Sequence, residues 1–178
     1  MTDREIVEGC LSGNAQMMKV LYDTYSGRMM SLCLRYAGSR DEAKDILQDG
    51  FIKVFEKLSQ FSGQGALSGW ISTIMVNTAL IHIRKMKREG IVEDIDDAFY
   101  LSNDDHSVLD KMGADELMKL IVAMPPGYRT VFNMFAIEGY SHREIAEELQ
   151  ITESTSKTQF KKAKAYLKKE ILELESSP

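Results

Sequence analysis

The sequence predicts an all-α protein, and three features of its 178 residues carry that prediction. Glycine and proline, which weaken or break helices, occur 12 and 3 times. Apolar residues recur at steps of three and four along nearly the whole chain, as they do on one face of a helix. The alternation of apolar and polar residues that marks a half-buried strand is missing. We therefore expect a series of amphipathic helices.

The periodicity predicts eight helices, of which the third is the clearest. Its apolar residues fall on one continuous stripe, which predicts that this side of the helix is core. The stripe consists of Ala43, Ile46, Leu47, Gly50, Phe51, Val54, Phe55 and Leu58. Pro125 and Pro126 separate the fifth helix from the sixth, because proline fits the first turn of a helix but not its interior. The eight helices span residues 3–12, 14–37, 40–58, 68–89, 107–124, 126–138, 141–149 and 153–174.

Acidic residues are concentrated in the middle of the chain, whose formal net charge is −5. Residues 91–113 carry seven acidic residues and one basic residue, with no sustained helical period. Residues 1–90 contain 12 basic and 10 acidic residues, and residues 114–178 contain 9 basic and 10 acidic residues. We predict two small helical domains, at 1–90 and 114–178, joined by an acidic linker at 91–113. A solvated acidic loop with no further role has the same composition.

Several classes of protein are disfavoured by the sequence. Cys10 and Cys33 lack CxxC spacing, and His82, His106 and His142 are far apart, so we expect no disulfide framework, no metal site and no cofactor. A Gly-rich phosphate loop and a paired nucleophile and base are also missing, which argues against an enzyme. Apolar runs are short and the N-terminus does not resemble a signal peptide, so we expect a soluble cytoplasmic protein without membrane insertion.

The outer side of the third helix has an unusual composition. Ile52 lies there beside Asp45, Gln48 and Asp49, opposite the core stripe. An apolar residue within an acidic patch suits a docking face for a basic partner helix. Singly exposed apolar residues are also common on ordinary protein surfaces, so the pattern by itself leaves both interpretations open.

The fourth helix and the loop before it contain two candidate nucleic-acid contacts. Asn77 is an amide within an apolar run, where it is either a structural hydrogen-bonding residue or a base-reading group. Phe61 lies beside glycines that permit close approach of a ligand, so it is either a core aromatic or a stacking platform for a base. Basic residues close this helix at Arg84, Lys85, Lys87 and Arg88.

The C-terminal domain contains the pattern of a helix-turn-helix. Ser141 and Glu144 have the spacing of a capping box, Ile151 fits the turn, and Thr152 can cap a second helix. Hydroxyl and amide groups near the start of that second helix, followed by lysines, are typical of a helix that reads DNA. The outward and flanking residues are Ser154, Thr155, Lys157, Thr158, Gln159, Lys161 and Lys162.

Together these motifs resemble the extracytoplasmic-function (ECF) group of bacterial RNA polymerase sigma factors. Residues 41–55 are similar to the helix of region 2 that binds core polymerase. Residues 67–85 are similar to the segment that melts the promoter and reads its -10 element. Residues 124–160 are similar to region 4, which reads the -35 element. The family's extra domain between regions 2 and 4 is missing, which places the chain in the ECF group.

The resemblance implies partners and site residues. It implies that core RNA polymerase binds Asp45, Gln48, Asp49 and Ile52. It also implies that the -10 element of promoter DNA contacts Phe61, Trp70, Asn77, Arg84, Lys85 and Arg88, with Phe61 and Asn77 forming a pocket for an unstacked base. The -35 element would contact the seven outward and flanking residues between Ser154 and Lys162. The linker would run through the polymerase, and many relatives are held inactive by an anti-sigma factor, although nothing in the sequence identifies one.

Some positions depart from the family pattern, and one alternative function stays open. His82, Ser154 and Gln159 stand where the family often has aspartate, glycine and a basic residue, which leaves the promoter sequence undetermined. The alternative is a non-sigma helix-turn-helix transcription regulator. In such a protein the N-terminal helices would dimerise or sense a signal.

Overall fold

The computed structural model of this chain describes residues 1–90 and 113–176. These residues form helices and no β-strand, which confirms the all-α class. The chain divides between Ile83 and Arg84 into two compact units. No helix among the described residues has the length and apolar character needed to cross a membrane.

The first unit consists of four α-helices. They are α1 (Asp3–Leu11), α2 (Ala15–Ala37), α3 (Arg40–Lys57) and α4 (Leu67–Arg88), with a 3₁₀ turn at Leu58–Gln60 and the last turns of α4 beyond the division. Side-chain oxygens of Thr2, Asn14 and Ser39 accept hydrogen bonds from the first free backbone amides of α1, α2 and α3. These caps define where each helix begins.

The core of the first unit is apolar and tightly packed. The predicted core stripe of α3 is buried, except that Phe55 is half-buried, so the prediction is wrong for that residue. Phe55 lies where the stripe meets a groove on the surface of α3. Gly50 lets α3 pack closely on α4, since a Cβ atom there would overlap the sulfur of Met75. The largest fully buried side chains of this unit are Leu21, Met29, Tyr36, Ile46, Leu58, Leu67, Ile71, Met75 and Leu80.

The second unit contains α5 (Ala114–Ala123), α6 (Pro126–Phe132), a π-helical turn (Asn133–Ile137), α7 (His142–Leu149) and α8 (Glu153–Ser176). Its core joins α5, α6 and α8 through Ile121, Met124, Tyr128, Phe132, Ala163 and Leu167. Arg129 is buried as well, and its guanidinium donates to the carbonyl oxygens of Val122 and Met124 at 3.0 and 3.1 Å. These bonds satisfy carbonyls at the end of α5 that have no partner within the helix.

Two predicted helices of this unit differ from those observed. The helix predicted at 107–124 does not continue through Gly113, whose extended backbone makes it the residue before α5; residues 107–112 lie outside the described part of the chain. The helix predicted at 126–138 ends as an α-helix at Phe132. There the buried Asn133 side chain donates to the Arg129 carbonyl, and the amide of Glu138 bonds five residues back to Asn133, which makes the turn π-helical.

Candidate nucleic-acid and protein interfaces

The residues predicted to bind a protein partner share one exposed face of α3. Asp45, Gln48, Asp49 and Ile52 are all exposed, and Ile52 has half of its surface accessible. We call these four residues the carboxylate face. Lys53 on the same helix turns its Nζ toward α4 and donates to Thr78 Oγ1 at 3.3 Å. The structure therefore leaves Ile52 exposed beside the carboxylates of Asp45 and Asp49.

An apolar groove of about 490 Å³ adjoins the carboxylate face. It is lined by Tyr22, Lys44, Leu47, Gln48, Phe51, Ile52 and Phe55. The ring of Tyr22 packs 4.7 Å from that of Phe51, yet 41% of the residue is exposed. Sequence reasoning missed Tyr22, because periodicity along α3 carries no information about a residue on α2. A groove next to carboxylates can hold an apolar side chain of a basic helix.

A second exposed stripe runs along α4. Trp70 and Asn77 are seven residues apart, about two helical turns, and therefore point the same way. Asn77 is exposed, and its side-chain amide makes no hydrogen bond to a described residue. This favours the base-reading interpretation over the structural one. Ile81 continues the stripe with half of its surface exposed. Arg84, Lys85 and Arg88 lie in the last two turns, with Lys85 and Arg88 exposed.

The loop before α4 brings Phe61 to the start of this stripe. The rings of Phe61 and Trp70 are 5.6 Å apart and tilted by 55°. Both are half-buried, so each packs on the protein and still presents part of its ring to solvent. The glycines at 63 and 65 adopt φ of +74° and +83°, which a residue with a side chain rarely does. The structure thus joins Phe61 to Trp70 and places Asn77 farther along the same side of α4.

The helix-turn-helix pattern is confirmed in the second unit. Ser141 and Glu144 form the predicted capping box, whose hydrogen bonds to Ser141 lower the pKa of the Glu144 carboxyl. Ile145 of α7 is fully buried. Gln150 ends α7 in the left-handed conformation, with φ of 56°. The Thr152 hydroxyl accepts from the Thr155 amide at 3.0 Å and so caps α8, as predicted.

The structure separates the seven predicted DNA contacts of α8 into two groups. Ser154, Lys157, Thr158 and Lys161 are exposed on one side, and we call them the reading face. The other three are half-buried. Thr155 shares a hydrogen bond with Thr152, Gln159 has a buried Oε1 with no partner among described residues, and Lys162 Nζ lies 5.9 Å from the Tyr128 ring centroid.

Two protein-family models match this chain. The model of Sigma-70 region 2 matches residues 21–89, and the model of Sigma-70, region 4 matches residues 114–167. The chain belongs to the sigma-70 family. The two matches occur in the family's order, and together they cover more than half of the residues of this chain.

Named relatives place this sigma factor in the ECF group. It is 26% identical to the RNA polymerase sigma-H factor of Pseudomonas aeruginosa, over 94% of this chain and 92% of that protein. It is also 26% identical to the ECF RNA polymerase sigma-E factor of Haemophilus influenzae, over 96% of each chain. A solved structure of the sigma factor RpoE in complex with the anti-sigma factor NepR, from Bartonella quintana, is 22% identical. It covers 87% of this chain and 96% of its own, with a TM-score of 0.49.

The three exposed surfaces lie within the matched regions of this sigma factor. The carboxylate face and the stripe of α4 fall in region 2, and the reading face falls in region 4. α1 and the last turns of α8 lie outside both matches. No group of three or more His, Cys, Asp or Glu side chains is arranged to hold a metal ion in the described ranges.

Proposed function

We propose that this ECF-type sigma factor binds core RNA polymerase through the carboxylate face and holds promoter DNA through α4 and the reading face. Region 2 would be residues 1–90, region 4 residues 114–178, and 91–113 the connection between them. In this role the chain is a transcription initiation factor with no catalytic chemistry of its own. It would act in the cytoplasm, together with polymerase.

The observation that carries this proposal is the exposed Ile52 on the region 2 helix. Single exposed apolar residues are common, but Ile52 also adjoins an apolar groove with room for a partner's side chain, and covering both would remove apolar surface from water. The surrounding carboxylates select a basic partner and speed its approach. A helical hairpin of polymerase with basic and apolar residues on one side fits both features.

The stripe of α4 suits a DNA strand whose bases have left the duplex. Such bases expose a stacking surface and hydrogen-bonding edges that pairing hides. The partly exposed rings of Phe61 and Trp70 offer stacking surfaces, and Asn77 offers a donor and an acceptor. Lys85 and Arg88 at the end of the helix can then contact the phosphates of that strand.

The reading face suits the major groove of a duplex. Ser154 and Thr158 can bond to base edges, while Lys157 and Lys161 can neutralise phosphates. Thr155, Gln159 and Lys162 remain predicted contacts, and the side chains of Gln159 and Lys162 would have to turn outward on binding. Because the ion pair of Lys157 with Glu153 spans 3.1 Å, part of that lysine's charge is already balanced.

The DNA contacts of regions 2 and 4, each modest by itself, together give strong binding when polymerase holds both regions. A protein with net charge −5 binds DNA weakly by itself, because its overall charge repels phosphate. Attachment to core polymerase raises the effective concentration of each region near its promoter element. The acidic charge therefore favours a sigma factor over a freestanding regulator, which would need strong DNA binding of its own. An anti-sigma factor stays a prediction of the resemblance.

Transcription in vitro tests the proposal. Core polymerase from the organism that carries the gene is incubated with fragments of its genome, with and without the purified chain, and RNA start sites are mapped. We expect discrete starts that require the chain and that share two spaced sequence elements upstream. Equal transcription without the chain, or no start site with it, would reject the proposal.

A further inference from the structure

An aromatic cluster surrounds the first residue of α7. The imidazole of His142 stacks on Phe135 of the π-helical turn, with ring centroids 4.2 Å apart and planes 14° apart. Phe160 of α8 closes the cluster at 4.5 Å from Phe135 and 5.8 Å from His142. The capping box of Ser141 fixes the backbone at this point, so the ring has little freedom to move.

The same imidazole makes a directional contact with α8. His142 Nδ1 and Ser156 Oγ share a hydrogen bond of 2.9 Å, and Ser156 is completely buried. A buried hydroxyl that loses such a partner carries a desolvation cost, so this bond favours one arrangement of the two helices. The ring thereby connects the π-helical turn, the start of α7 and the start of α8.

Ser156 lies in the middle of the segment that carries the reading face. Lys157 follows it directly, and Ser154 and Thr158 are two residues away on either side. Apolar packing has no direction and tolerates small rotations of a helix, whereas a hydrogen bond requires a set distance and angle. A rotation of α8 that breaks the bond to His142 also turns the reading face away from its base edges.

We propose that His142 is a positioning residue for promoter recognition, which orients the reading face of α8 through its hydrogen bond to Ser156. This inference rests on the proposed role of α8 in reading the promoter duplex. It adds a residue that makes no DNA contact itself and that belongs to none of the three exposed surfaces.

The surroundings of His142 favour the neutral form of its ring. Burial lowers the pKa of the imidazole, and the positive charge of Lys157 lowers it further, while Glu153 acts in the opposite direction. The start of a helix also disfavours a positive charge. A neutral imidazole has one nitrogen that donates and one that accepts. In either tautomer, Nδ1 can therefore form one hydrogen bond with the Ser156 hydroxyl.

The test measures promoter preference with the full chain bound to core polymerase. The probes are a linear fragment with a mapped start site and a copy whose upstream element is scrambled, and preference is the ratio of their dissociation constants. The variants are His142→Phe, which keeps a ring for stacking, Ser156→Ala, and the double variant. Ser176→Ala, which removes a hydroxyl at the far end of α8, is the control. Thermal unfolding checks that each variant is folded.

We expect His142→Phe and Ser156→Ala each to lower the preference roughly fivefold to tenfold, the size of one missing hydrogen bond. The double variant should lose no more than either single variant, because both remove the same bond. A preference that stays unchanged in both single variants, or losses that multiply in the double variant, would overturn the inference. A wild-type holoenzyme without any preference would instead reject the proposed role of α8, and the inference with it.

Discussion

The two units differ in what holds their functional helices in place. In the first, α3 and α4 are joined by apolar contacts such as that of Met75 against Gly50, and Thr78 is the buried polar residue among its described positions. In the second, Arg129, Thr130, Asn133 and Ser156 are all buried. The first unit therefore relies on apolar packing, whereas the second also buries several polar groups that need hydrogen-bond partners, and one of them, Ser156, lies on α8.

The largest effect should come from reversing charge on the carboxylate face. Asp45→Lys with Gln48→Lys should weaken core polymerase binding more than roughly a hundredfold, because basic groups would then face a basic partner. The melting temperature should stay the same, since both residues are exposed. Co-purification with core polymerase measures binding.

A matched variant makes that result specific. Asp115→Lys with Gln16→Lys changes the net charge equally, at exposed positions on α5 and α2, and should bind core polymerase normally. Normal co-purification of the Asp45 and Gln48 variant would show that function in the first unit does not depend on this face.

The next effect should come from the buried guanidinium of the second unit. Arg129→Met leaves the carbonyls of Val122 and Met124 without their partner, and we expect a loss of about 2 kcal/mol in the unfolding free energy. Hydrogen exchange followed by mass spectrometry, with peptides from each unit, locates the loss in the second unit.

An exposed arginine provides the control for this variant. Arg143 pairs with Glu147 on the surface of α7, and Arg143→Met should change stability by less than about 0.5 kcal/mol. If the two arginine variants lost the same unfolding free energy, buried hydrogen bonds would not be what distinguishes the second unit.

A smaller effect should follow from changing the base contacts of the first unit. Asn77→Ala and Phe61→Ala should each slow promoter opening roughly tenfold, as expected for removal of one base contact, with closed-complex binding nearly unchanged. Permanganate footprinting measures opening. Thr73→Ala is the matched change on the same helix, because the Thr73 hydroxyl donates to the Gly69 carbonyl within that helix. Normal melting by both pocket variants would reject the base pocket.

The smallest effect distinguishes two adjacent lysines. Exchanging Lys161 and Lys162 together for alanine should weaken promoter binding across sequences and reduce the slope of its salt dependence by about 0.9 for each phosphate that is no longer neutralised. Lys161→Ala should account for most of this change, because Lys162 lies over the Tyr128 ring. Dissociation constants across a salt series measure the slope. An unaltered slope in the double variant would remove both lysines from the phosphate contacts.

Sequence periodicity predicted much of this fold, for a physical reason. Helices and their buried sides depend on average spacing, so the core stripe of α3, the capping box and the helix-turn-helix were accessible from sequence. The π-helical turn was not, because it depends on single hydrogen bonds of Asn133 and Glu138. Gly113 was likewise placed inside a helix that in fact begins after it.

The candidate sites were predictable to a similar degree. Residues on one helix, such as the carboxylate face, follow from spacing alone. Contacts between helices do not, and so Tyr22 beside the groove and the bond from His142 to Ser156 were missed. The inward positions of Gln159 and Lys162 were also invisible, because they depend on side chains of neighbouring helices.

One chain, bound to polymerase, should hold a promoter at two places at once, and the spacing of the two elements tests this most directly. Inserting roughly five base pairs between the elements of a mapped promoter turns one of them by about half a turn of DNA. We predict that transcription in vitro falls at least roughly tenfold, because both contacts can no longer form together. Unchanged transcription from the lengthened promoter would contradict simultaneous binding at two places.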